Sequence, residues 1–214
     1  MSGSIRARIM RKFAVTHLIS ASILSRQLEE VEREHQGETF AGFFEEILAL
    51  ASGSIVLCAA ALEAYANETF NDADNLFESV DATEADRLRQ EHAWDSVLDK
   101  FDRLVELGGP DALDRGTRPA QDIKALFILR NALVHFTPEW DEESDKHAKV
   151  SQALQGRFAP SEFPEGGEGI YPIRWATANC TKWAIRSCTA FIAGFSEASH
   201  TTDRLAQFHD RLHH

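Results

Sequence analysis

The sequence predicts an all-α fold, an up-and-down bundle of four to six helices. Three observations carry that reading. Apolar residues recur at spacings of three and four along most of the chain, while no run of strict apolar–polar alternation marks a strand. Punctuation falls between the periodic stretches, at Gly37, Gly108-Gly109-Pro110 and Pro138. At 214 residues and 43% hydrophobic, the chain is long enough to bury a core as one helical domain, 1–214.

The first helix is expected over about residues 5–35, on a weak stripe of Ile9, Phe13, Leu24, Leu28 and Val31. The second has the strongest periodicity, through Phe40, Phe43, Phe44, Ile47, Leu48, Ala51, Ile55, Cys58, Leu62, Tyr65, Ala66, Thr69 and Phe70. Ser52-Gly53-Ser54 is a place for it to bend, because glycine costs about 1 kcal/mol inside a helix. A third helix, capped by Thr83, carries Leu88, Trp94, Val97, Leu98, Phe101, Leu104 and Val105, and Gly108-Gly109-Pro110 ends it. A fourth starts around Pro119, in a first turn that accepts proline, and runs to about Phe136, where Pro138 stops it. Residues 137–171 read as an acidic, solvated loop: positions 137 to 170 hold eight Asp or Glu against three Lys or Arg. A last large helix carries Ala176, Cys180, Trp183, Ala184, Ser187, Cys188, Phe191 and Phe195, and one or two short turns follow residue 201.

Composition narrows the function classes. The net charge of −12 argues against a generic nucleic-acid coat, which needs a broad basic surface, but leaves room for a small cationic site. No apolar run approaches the ~20 residues of a bilayer span, and the N-terminal stretch has no apolar leader region. Arg6, Arg8, Arg11 and Lys12 read as a basic helix face. Cys58, Cys180 and Cys188 are odd in number and show no Cys-x-x-Cys spacing, which points to a reducing, cytoplasmic compartment and no membrane association. His209 and His213 stand one turn apart, but without a following Glu they carry no metal expectation, and no cofactor motif is present. Trp94, Trp140, Trp175 and Trp183 are spread along the chain and read as core or interface residues, not as a base-stacking platform.

The stretch "LFILRNALVHF", residues 126 to 136, places two polar residues and a cation inside an otherwise apolar helix. At about 100° per residue, Arg130 falls in the middle of a stripe made by Ile123, Leu126, Phe127, Leu133 and Val134. Asn131 and His135 lie about 40° apart on one flank. A buried guanidinium needs a carboxylate or a solvent-filled cleft. A helix apolar on several sides is also expected to be covered on several sides, against its own bundle and against another subunit.

"RNALVH", Arg130 to His135, resembles the motif of the HEPN superfamily, whose RNase members carry an Arg, a polar residue after it, and a His. "AALEAYANETF", residues 60 to 70, is similar to the earlier HEPN helix that bears a Glu. The resemblance covers about residues 40–136, with a HEPN-like core extending to about residue 200. It implies a homodimer whose two motifs face each other across a shared cleft. It also implies metal-independent cleavage of RNA by the ribose 2′-OH, leaving 2′,3′-cyclic phosphate and 5′-OH ends. Arg130, Asn131 and His135 would be the catalytic residues, with Glu63 as the candidate partner that holds the Arg130 guanidinium and Asn67 one turn along on the same face in support. A toxin, stress or phage-defence setting, with an antitoxin or other regulatory protein as partner, follows from the same likeness. The position two residues after the His, a modifiable Tyr in some HEPN toxins, is Thr137 here. The other reading is a non-catalytic helical module of this shape that binds a nucleotide or a protein partner.

Overall fold

The computed structural model describes residues 11–39, 41–138, 145–163 and 169–212. Among these the protein is helical and contains no strand. The elements are α1 (Ala14–Glu34), α2 (Phe43–Asn71), α3 (Ala73–Leu76), α4 (Ala82–Glu91), α5 (Val97–Gly108), α6 (Arg118–Val134), α7 (Asp145–Leu154) and α8 (Ala178–Ala198). A 3-10 turn (Ala206–Phe208) and α9 (His209–Leu212) follow.

The all-α expectation holds, and α2 is its centre. It packs against α1, α4, α5, α6 and α8, and buries residues along its whole length from Phe44 to Phe70. No bend is needed at Gly53, and α2 runs unbroken. That glycine instead lets α1 approach, since a Cβ there would sit 2.9 Å from Leu24 Cδ1. Among the described residues α2 is also the one helix long and apolar enough to cross a membrane, which corrects the expectation that no segment reaches that length. A helix surrounded by others has the same composition, because it must be apolar on most of its faces.

The remaining boundaries differ from the sequence reading in instructive places. The start of α1 is seen at Ala14, and the expected onset near residue 5 lies outside the described residues. The buried face of α1 is Ala14, Leu18, Ala21, Ser22, Ser25 and Leu28, and Phe13 is largely exposed. Small residues allow the close approach to α2, and the serines are satisfied across helices. Ser25 bonds Thr181 at 2.7 Å, and Ser54 donates to the Ala21 carbonyl at 3.0 Å. The expected third helix is two helices. Asp81, not Thr83, caps α4 by accepting from the N–H groups of Thr83 and Glu84, both at 2.9 Å. The chain then turns at residues 92–96 before Ser96 caps α5. Gly108 ends α5 where a Cβ would stand 2.3 Å from the Ser199 carbonyl oxygen, so this glycine is required by the close crossing of the chain after α8.

The acidic loop expected over 137–171 contains a helix, α7, which buries Val150 and Leu154 against α6. Its anchoring continues at Arg157. That guanidinium and Arg118 both bond the buried Asp122 carboxylate, to which Ser187 of α8 also donates at 3.4 Å. A network joining α6, the chain after α7 and α8 therefore fixes the base of α6.

Candidate functional site

The site lies between α2, α6 and the turn joining α4 to α5. Arg130 ion-pairs with Glu63 across the α2–α6 packing. Its side chain is 23% exposed and that of Glu63 47%, so the pair sits at a cleft mouth and not in the core. The Arg130 guanidinium also lies over the Phe127 ring, 5.1 Å from its centre, which adds a cation–π contact on the same helix. Desolvation explains both contacts: a cation in an apolar stripe is held by the nearest carboxylate and the nearest ring face.

Asn67 follows one turn after Glu63 and accepts a 2.9 Å hydrogen bond from Lys100 Nζ. Lys100 is buried and also donates to the Ala93 carbonyl at 3.0 Å. This ammonium therefore ties α2 to the turn before α5. That turn is braced further by the His92–Asp95 contact at 2.8 Å and by His92 stacking on Phe70 at 5.8 Å. It presents Trp94, which is 97% exposed. Trp94 is thus not a core residue, in contrast to Trp175 and Trp183, which are buried; Trp140 lies outside the described residues. Together these elements enclose a cleft of about 620 Å³, lined by Glu63, Asn67, Trp94, Lys124, Arg130 and Asn131 among others.

His135 is placed differently. It caps the C-terminal end of α6, its N–H bonded to the Asn131 carbonyl at 2.9 Å. Its side chain is exposed and is not among the residues lining the cleft. Asn131 is exposed and lines it. The structure thus brings Arg130, Asn131, Glu63 and Asn67 together at one cleft and sets His135 beyond its rim. Val134 and Phe136, on either side of His135, are 53% and 54% exposed.

The α6 terminus is held by residues that the sequence did not single out. Tyr171 donates from its hydroxyl to the Ala132 carbonyl at 3.0 Å, satisfying one of the acceptors a helix end leaves open. Burial pushes the Tyr171 hydroxyl above its ordinary pKa. His147 of α7 packs on Phe136 (5.8 Å) and on Tyr171 (5.2 Å), and its Nε2 lies 3.3 Å from the Thr137 carbonyl oxygen. Lys100 had a readable signal, since it occupies the same face as Val97, Phe101 and Leu104, where an apolar residue is the norm. Tyr171 and His147 had none, because both come from the segment read as loop.

The three cysteines are buried thiols. Burial raises the pKa of Cys180 and Cys188 well above the usual range, so neither is a nucleophile. His213, the second member of the C-terminal histidine pair, lies outside the described residues, and no His, Cys, Asp or Glu trio among the described residues is arranged to hold a metal ion. Comparison of the chain with models of known protein families, with curated proteins and with solved structures finds no match.

Proposed function

We propose that this protein is a metal-independent endoribonuclease of the HEPN type, acting as a homodimer in the cytoplasm. The observation that supports it best is the Arg130–Glu63 pair at a cleft mouth, with Asn131 beside it and His135 one turn further on. A guanidinium fixed by a carboxylate offers its remaining donors to the phosphate oxygens of a bound RNA, where charge grows as the 2′-oxygen attacks phosphorus. An imidazole titrates near neutral pH and suits both proton transfers. One neutral imidazole accepts the 2′-OH proton as the O2′–P bond forms. A protonated one donates to O5′ as the P–O5′ bond breaks, leaving a 2′,3′-cyclic phosphate and a 5′-OH. Two copies of His135 in one dimer supply both forms. The exposed Val134 and Phe136 beside His135 favour a second copy packing there, which would bring its imidazole toward the cleft. The toxin, stress or defence setting, with a regulatory partner, belongs to the same proposal.

A second reading is favoured by one observation: His135 does not line the cleft that holds Arg130. On that reading the chain is a non-catalytic module that binds a nucleotide or protein partner. Incubation of mixed RNA with wild type and His135→Ala in EDTA, with end-group analysis, separates the two. The nuclease reading expects cyclic phosphate ends from wild type and a loss of about 10²–10⁴-fold in the variant. Intact RNA after incubation with folded, dimeric wild type would leave the binding module standing.

A further inference from the structure

We propose that Trp94 is a stacking platform for an unpaired nucleobase, and that the cleft beside it takes the two phosphates on either side of that nucleotide. The inference rests on the RNA-directed reading above and extends it to a residue outside the Arg-Asn-His motif.

An indole is a large, flat apolar surface on which a planar ligand can stack, and it binds best where its own position is already set. Trp94 is 97% exposed. Its backbone is nevertheless fixed. The preceding carbonyl, of Ala93, accepts from the buried Lys100, the following residue Asp95 bonds His92, and Ser96 then caps α5. A ring on a braced turn loses little further freedom on binding, which is the arrangement a stacking site needs.

The chemistry around the ring selects the ligand. Arg130 and Lys124 both line the cleft, and Lys124 is exposed and makes no ion pair with a described residue. These cations suit a phosphate. Asn131 and Asn67 are side-chain amides on the same cleft. The Asn67 oxygen is taken by Lys100, so its NH₂ group is left as a donor for a base edge or a ribose hydroxyl. Aromatic face, cations and amides within one cleft of about 620 Å³ match one nucleotide unit of a single strand. A second copy of this chain would seek an apolar surface, and the exposed pair Val134 and Phe136 lies outside this cleft lining. Asp95, the acidic neighbour of Trp94, is engaged with His92.

The test uses the full chain and short 2′-O-methyl RNA oligomers, which bind without being cut, so that binding is read independently of catalysis. Tryptophan fluorescence under acrylamide gives the first readout: the oligomer should shield wild type, and the shielding should vanish in Trp94→Phe, where only the other tryptophans report. Affinity gives the second: Trp94→Ala should weaken binding about tenfold, the usual loss for one stacked base, and Trp94→Phe should restore most of it. Because the ring is in solvent, circular dichroism and melting of Trp94→Ala should match wild type. Adenosine monophosphate is run in parallel; equal shielding by the mononucleotide also supports stacking and identifies a free nucleotide as sufficient. Unchanged affinity in Trp94→Ala alongside weakened binding in Arg130→Ala would overturn the Trp94 role and leave the RNA reading intact. Conversion of Trp94→Ala to monomers with full oligomer affinity would assign the ring to subunit contact instead. Absence of oligomer and mononucleotide binding by wild type would overturn both readings together.

Discussion

Arg130 and Glu63 are each out of place in their own helix, and each explains the other. An Arg in the apolar stripe of α6 and a Glu in the long apolar α2 would both be costly alone, and the structure pairs them. With the carboxylate half exposed, the pair contributes at most about 1 kcal/mol to stability. Its larger effect is to aim the guanidinium. Glu63→Gln should therefore change the unfolding free energy by less than ~1 kcal/mol, and on the proposed nuclease reading it should lower RNA cleavage by a factor of about 10 to 100, as displaced catalytic groups do. Denaturant titration beside a cleavage assay checks this; a large stability loss with unchanged cleavage would make the pair purely structural. Lys100 is the opposite case. It is buried and holds both Asn67 and the Ala93 carbonyl, so Lys100→Met should cost about 1–3 kcal/mol by leaving both acceptors unpaired. That Arg130 needs a partner was legible in the sequence, because a charge in an apolar stripe demands one; Glu63 itself was singled out through the resemblance of its helix. Lys100 poses the same demand, but its acceptors are an amide and a carbonyl, which sequence does not mark. Trp94 was expected inside one long helix because the apolar spacing from Leu88 to Val105 hides a break with no Gly or Pro in it. His92, Asp95 and Ser96 make that break through local side-chain bonds.

At the scale of elements, the sequence reveals helices that bury large residues and conceals those that bury small ones. α2, α6 and α8 were plain because Leu, Ile and Phe mark their faces. α1 looked weak because its packed face is mostly Ala and Ser, whose contribution is close approach and cross-helix hydrogen bonds. α7 was concealed by its acidic surroundings, and the clamp on the α6 terminus with it. One contact between elements carries a pH signature. Glu32 of α1 accepts from the Ala178 N–H at 3.1 Å, at the first turn of α8. Burial, the largest influence, raises its pKa above the ordinary glutamate range; the Ala178 bond opposes this and Glu29 adds to it. A carboxyl that holds its proton more tightly when folded favours the native state at low pH. That contribution is lost as pH rises from the ordinary glutamate range through the raised value. Glu32→Gln keeps an oxygen acceptor for Ala178 and removes the titration. Relative to this variant, wild type should lose stability across that window and stay lower at neutral pH. Chemical denaturation at a series of pH values reads the difference directly, and parallel curves for the two proteins would contradict the buried, uphill ionisation of Glu32.

For the whole molecule, the decisive quantity is a net charge of −12 combined with a cleft that gathers a few cations. A polyanion approaching this protein meets long-range repulsion first and Arg130 and Lys124 only at contact. The two effects respond to salt in opposite directions. Contact with two phosphates releases counterions, and for single strands this alone gives a slope of log affinity against log salt of about −0.7 per phosphate, hence roughly −1.4. Screening of the overall negative charge lowers the repulsion as salt rises, since the Debye length falls from ~30 Å at 0.01 M to ~10 Å at 0.1 M. The observed slope should therefore be shallower than roughly −1.4, and shallowest at low ionic strength, where the repulsion has most to lose. A protein that coats RNA through a basic surface would instead show a slope several times steeper. Titration of a 2′-O-methyl oligomer at several salt concentrations, for wild type and Lys124→Ala, measures both terms. Removing one phosphate contact should flatten the slope by about 0.7, while a steep slope that ignores Lys124 would mean that the RNA is held elsewhere on the molecule.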